Sequence, residues 1–131
     1  MPTIDYPPGI IAVDFDGTVV THEFPRVGQD VPGAAFVLNR LVLKGHKLVL
    51  WTMRSGDYLQ DAVDWFANHD IPLYGIQRNP EQDWTTSPKC YANIYIDDAA
   101  LGCPLIYPLA AGARPYVNWG EVARILKAND D

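Results

Sequence analysis

The chain is poor in cysteine, in long apolar runs and in positive charge. Cys90 and Cys103 are the two cysteines among 131 residues. Their spacing fits no zinc-binding pattern, so they read as reduced thiols in a cytoplasmic setting rather than as a disulfide framework. No apolar stretch reaches the length that spans a bilayer, so no membrane helix is expected. Met1-Pro2-Thr3-Ile4-Asp5 lacks the basic and apolar regions of a signal peptide. Lys and Arg number 10 against 16 Asp and Glu, a net charge of −6. That balance argues against bulk binding to nucleic acid or anionic membrane, yet permits a local positive site for a phosphorylated small molecule. Internal repeats and low-complexity tracts are also missing.

What is present is ordinary in bulk and pointed in detail. The hydrophobic share is 48% and the charged share 20%, as in soluble globular proteins. The length predicts one domain over residues 1–131, able to bury about two-thirds of its unfolded surface. Five apolar segments read as strands: 10–14, 47–52, 71–76, 93–97 and 105–107. Pro72 suits the start of its strand and not the middle. Helical spacing falls between them. Ala34, Val37, Leu38 and Leu41 share one face, with Gly45 placed to stop that helix. Leu59, Ala62, Val63, Phe66 and Ala67 form a second stripe, and Trp119, Val122, Ile125 and Leu126 a third. Asn118 and Glu121 resemble a capping pair at the start of the third. Strands alternating with helices predict an α/β fold with a mostly parallel sheet. In such sheets the binding crevice lies beyond the C-terminal strand ends.

Chemistry gathers at those ends. Ile10-Ile11-Ala12-Val13 follows the turn signal Pro7-Pro8-Gly9 and runs into Asp14-Phe15-Asp16-Gly17-Thr18. Residues i and i+2 of an extended segment point the same way, so Asp14 and Asp16 are expected to share one site. Paired carboxylates either bind a cation or divide into nucleophile and acid/base. Gly17 lets the chain turn at once, and Thr18 adds a hydroxyl. Lys47–Thr52 ends in another hydroxyl, and Ile94-Tyr95-Ile96 ends in Asp97-Asp98. For a phosphate ester, a carboxylate nucleophile needs a divalent cation, and Asp14 and Asp97 are the candidate ligands for Mg2+.

These four stretches, in this order, resemble the motifs of the haloacid dehalogenase (HAD) superfamily. Asp14–Thr18 resembles the first motif, Leu48-Val49-Leu50-Trp51-Thr52 the second, Lys89 the basic residue of the third, and Ile94–Asp98 the fourth. Thr52-Met53-Arg54-Ser55-Gly56 and Ile96-Asp97-Asp98 are similar to small capless hydrolases of bacterial and phage type. The resemblance implies a three-layer Rossmann-like core with a mostly parallel five-stranded sheet, strand 1 lying between strands 2 and 4. It implies a Mg2+-dependent phosphatase that works through an aspartyl-phosphate. Asp14 would be the nucleophile, Asp16 the acid/base, Thr52 a donor to phosphate, and Lys89 the neutralising cation. The metal set would be Asp14, Asp16 through its backbone carbonyl, Asp97, and Asp98 at or just beyond direct contact. Gly17, Thr18, Met53 and Arg54 are the substrate-binding candidates, Arg54 through bidentate contact with an anion. No segment is long enough for a large cap, which implies an open site, a larger substrate, or a cap lent by another protomer of a homo-oligomer.

Residues 19–32 read as a flap over the site and 77–88 as a polar surface loop. His22 is the histidine placed to meet substrate, while His46 and His69 read as structural or solvated. Trp51, Trp65 and Trp119 read as packing residues, and Trp84 as packing, a substrate platform or a dimer contact. A frayed tail is expected at Asn129-Asp130-Asp131. Two rival functions stay open. One is a nucleotide or polynucleotide-end phosphatase with the same chemistry. The other is a module that binds Mg2+ or phosphate without turnover.

Overall fold

The computed structural model describes residues 3 and 6–130. The readings of a frayed Asp131 and of a leaderless start at residues 1, 2, 4 and 5 fall outside the described residues. The first apolar run forms β1 (Ile10–Val13), and the second forms β2 (Lys47–Leu50). β3 (Gly75–Ile76) and β4 (Ile94–Ile96) complete a four-stranded sheet in the order β3-β2-β1-β4, with every neighbouring pair parallel. β1 therefore lies between β2 and β4, as expected.

The register sorts the side chains. Ile11 lies beside Leu48 and Ile94, and Val13 beside Leu50 and Ile96. Partners in register point to the same face. This face joins the main core with buried residues of α1 (Ala34–Leu43), α2 (Gly56–Asn68) and α3 (Trp119–Ile125). In α1 the expected stripe of Ala34, Val37, Leu38 and Leu41 is the buried one, and Gly45 turns the chain out of the helix at φ 95°. In α2, Trp65 takes the buried place expected for Ala67, which is exposed. In α3, the Asn118 side chain accepts a hydrogen bond from the Glu121 amide at 3.1 Å, the expected cap.

Two expectations change. The three helices all pack on one face of the sheet, so the layering is not helix–sheet–helix. Ala12, Val49 and Tyr95 align on the other face. There the Tyr95 hydroxyl donates to the Cys90 carbonyl and Lys89 Nζ sits over the Tyr95 ring, so the irregular segment 77–93 covers it. Among the described residues the sheet also has four strands rather than five. β5 (Leu105–Ile106) pairs antiparallel with β6 (Tyr116–Val117), apart from the main sheet. Two turns beyond β4 redirect the chain, through Ala100 N to Asp97 O and Cys103 N to Ala100 O. Val117 N then donates to the Gly17 carbonyl at 3.1 Å, tying this small ribbon to the turn after β1. The third strand is shorter than the apolar run 71–76. Gly75 packs so close to the Arg78 carbonyl that a Cβ would fall 2.2 Å from it, so the chain turns there instead of extending. Among the described residues no helix is long and apolar enough to cross a membrane, and no cap domain is present.

Candidate metal centre

The turn after β1 is built around Thr18. Asp14 N continues the sheet ladder to Ile96 O at 3.0 Å, and Thr18 and Val19 then both donate to the Phe15 carbonyl. Gly17 makes this turn at φ 82°. A side chain there would overlap the His22 imidazole and come 2.6 Å from Asp98 Oδ2, so close approach demands glycine as much as the dihedral does. Thr18 is fully buried. Its hydroxyl donates to Asp14 Oδ2 at 3.1 Å and accepts from Asp98 N at 3.2 Å. Its carbonyl accepts from Trp119 Nε1 at 2.7 Å. Trp119, read as a packing residue, thus also anchors the turn.

The strand ends bring Asp14, Asp97 and Asp98 together, with one oxygen of each within 4.8 Å of the others. Burial, and then the Asp97 charge, push the Asp14 carboxyl up to about 8. The backbone N–H of Phe15 opposes that rise, and Asp98 adds to it. Asp97 Oδ1 accepts from Ala99 N at 2.9 Å, and Asp98 Oδ2 meets His22 Nε2 at 2.9 Å. His22 therefore reaches the site through a carboxylate. Three hard oxygen donors in mutual repulsion suit a divalent cation such as Mg2+.

The Asp16 side chain is not one of this trio. Both of its oxygens face Arg54, with Nε donating to Oδ2 at 2.8 Å and Nη2 to Oδ1 at 2.7 Å. Arg54 is 2% exposed. Its remaining donors reach the Pro25 and Tyr58 carbonyls at 3.3 Å and the Arg26 carbonyl at 2.9 Å. Its guanidinium carbon sits 4.9 Å from the Phe15 ring centre and 5.1 Å from that of Phe24. A guanidinium has five N–H donors, and all five are engaged here. The bidentate arginine foreseen for substrate is thus a buried clamp between Asp16 and the flap, with no donor left for an incoming anion.

The other candidates have contacts of their own. Thr52 Oγ1 accepts from Arg54 N at 3.2 Å. The Gln77 amide holds the turn, accepting from Thr52 N at 2.8 Å and donating to the carbonyls of Thr52 at 2.6 Å and Arg54 at 3.2 Å. The sequence marks Gln77 only as part of a polar loop. Met53 is 98% exposed. Lys89 is exposed, its ammonium 5.6 Å from the Tyr95 ring centre, and it makes no ion pair among the described residues. Nothing places it in contact with the three carboxylates.

The flap is fastened rather than free. Val19, Val20 and Val31 are core residues, and Val31 N donates to Val19 O. Asp30 accepts from Trp65 Nε1 at 2.8 Å and meets His69 Nε2 at 2.6 Å. His69 stacks on Trp65, with its Nδ1 2.7 Å from the Trp65 carbonyl. Burial opposes charge on His69, but the Trp65 carbonyl and Asp30 overrule it and raise its pKa above the ordinary value. His46 goes the other way. Burial lowers its pKa, and its Nδ1 accepts from Gly9 N at 3.2 Å.

These elements define an α/β protein with a carboxylate cluster at the C-terminal ends of adjacent parallel strands. The chain is similar to a conserved protein coded by a locus of Bacteroides thetaiotaomicron, of solved structure. Identity is 32% over 95% of this chain and 93% of that one, with a TM-score of 0.73. The chain belongs to the same family as that protein. No family model and no curated protein matches it.

Proposed function

We propose that this chain is a magnesium-dependent phosphoester hydrolase that works through an aspartyl-phosphate. The observation that carries the reading is the convergence of Asp14, Asp97 and Asp98 within 4.8 Å, at the crevice where α/β sheets bind ligands. Asp14, Asp97 and Asp98 would hold the ion. When bound, it offsets carboxylate repulsion and the repulsion between Asp14 and an anionic ester. Thr18 orients Asp14 for attack on phosphorus. Asp16 protonates the departing oxygen and then takes a proton from the hydrolytic water. Arg54 donates one hydrogen bond to each Asp16 oxygen, so proton transfer at Asp16 uses a remaining lone pair. The Thr52 hydroxyl accepts from Arg54 N and so keeps its hydrogen for a phosphate oxygen. Lys89 lies over the Tyr95 ring, makes no ion pair among the described residues, and would have to swing away from that ring to supply the neutralising cation. The free thiols of Cys90 and Cys103 support a cytoplasmic location.

The Arg54–Asp16 clamp also favours a second reading, that of a Mg2+ and phosphate binder without turnover. One experiment separates the two: phosphate release from an aryl phosphate with and without Mg2+, comparing the wild type with Asp14→Asn. The hydrolase reading expects Mg2+-dependent release that Asp14→Asn abolishes. Mg2+ binding with no release from a broad phosphoester panel would overturn it in favour of the second.

A further inference from the structure

Beside the carboxylate cluster lies a cleft of about 620 Å³, walled by the flap on one side and residues 108–116 on the other. His22 belongs to its wall and is bonded to Asp98, so a single side chain separates the cleft from the carboxylates. Among the described residues two arginines line it, Arg26 and Arg114, and Glu23 is the one acid. Arg26 pairs with Glu23 at 3.2 Å, but the two side chains are 81% and 44% exposed, so the pair is weak and readily exchanged. Arg114 makes no ion pair among the described residues. In a chain of net charge −6, this is a local excess of positive charge one residue away from the candidate metal centre. Thr21, Gln29 and Tyr116 add polar groups to the same walls. Guanidinium groups match carboxylates and phosphates bidentately.

We propose that Arg26 and Arg114 form a second anion-binding subsite. On this view the substrates are small phosphoesters carrying a further phosphate or carboxylate. The inference rests on the hydrolase reading and names the substrate class for that site. By contrast, the groove along β4, bordered by Ile94, Ile96 and Val122, carries no charged side chain among the described residues and offers an anion no cation.

The test compares three probes: a short alkyl phosphate, the alkanediyl bisphosphate of the same chain length, and the matching carboxyalkyl phosphate. Each is assayed with Mg2+ on wild type, Arg26→Ala, Arg114→Ala and Arg114→Lys. The expected result is a kcat/KM at least about tenfold higher for one or both probes with a second anionic group than for the alkyl phosphate. That ratio should fall about tenfold in each alanine variant, chiefly through KM, with partial recovery in Arg114→Lys. Whichever of these two probes responds identifies the second group. A wild-type ratio near one, or a ratio that ignores both alanine substitutions, overturns the subsite while leaving the hydrolase reading intact. If no probe turns over, calorimetric binding of the bisphosphate with Mg2+ reads the subsite alone. Binding that weakens in the arginine variants keeps the subsite and removes the hydrolase reading, and absent or arginine-independent binding removes the subsite.

Discussion

Arg54 commits every guanidinium donor to Asp16 and to the carbonyls of Pro25, Arg26 and Tyr58. Removing one partner of a buried ion pair costs about 3–5 kcal/mol. Arg54→Met is therefore expected to lose about that much stability in chemical denaturation, where an arginine reserved for substrate would lose little. Asp14 shows the opposite economy, because its ionised form is the strained one. Its pKa is about 8 in the folded chain against an ordinary 3.8, so the fold binds the proton more tightly than the unfolded chain does. The contribution of this group to stability is greatest below about pH 4 and is lost as pH rises through about 8. In chelated buffer, Asp14→Asn is expected to be more stable than the wild type at pH 8, by at least about 1 kcal/mol. The same variant should lose at least about a thousandfold in phosphate release. A variant no more stable than wild type at pH 8 would remove the electrostatic account of the site.

The flap illustrates how one element is held by residues far away in sequence. Its end at Asp30 is tied to α2 through Trp65 and His69, and its tip to the Arg54 guanidinium. Both His69 ring nitrogens face acceptors, the Trp65 carbonyl and the Asp30 carboxylate, an arrangement only the imidazolium fully satisfies. With its folded pKa raised above the ordinary 6.5, His69 contributes stability that is full below about pH 6.5. That contribution fades as pH rises through the folded value. Wild type should lose this increment across that window in thermal melts, and His69→Gln should flatten it. Gln77 performs the parallel service for the turn after β2. Gln77→Ala leaves the Thr52 amide and two carbonyls without their partner, at about 1–3 kcal/mol. It should also lower kcat by misplacing Thr52, a loss that steady-state kinetics would read separately from KM.

For the molecule as a whole, a ligand that binds only the folded chain raises its stability by mass action. Mg2+ at a hundredfold excess over its Kd is expected to add about 2.7 kcal/mol to unfolding, with the gain absent in Asp14→Asn. A melting temperature indifferent to Mg2+ would remove the cation from the site. The α/β architecture that positions this site was legible from local patterns. The apolar runs Ile10–Val13 and Lys47–Leu50 and the α1 stripe each lie where their spacing implied. The fifth strand was not legible. Leu105–Ile106 has the composition of a strand in either sheet, and its partner is chosen by the turns after Asp97 and by the Val117–Gly17 bond. The helix-free second face was hidden for a similar reason, since the polar composition of 77–88 does not say what it covers.

Composition and periodicity determined the class of fold, its mostly parallel sheet, and the placing of Asp14, Asp97 and Asp98 at one edge. They could do so because strand ends in a parallel sheet converge whatever fills the loops. Tertiary structure alone decided the partners of the polar side chains. Asp16 and Arg54 are 38 residues apart, His22 and Asp98 are 76 apart, and Trp119 and Thr18 are 101 apart. A buried polar group must find a complement wherever the fold brings one. That requirement turned Arg54 from a free cation into a clamp, and the packing of the flap against residues 108–116 left Arg26 and Arg114 lining an open cleft.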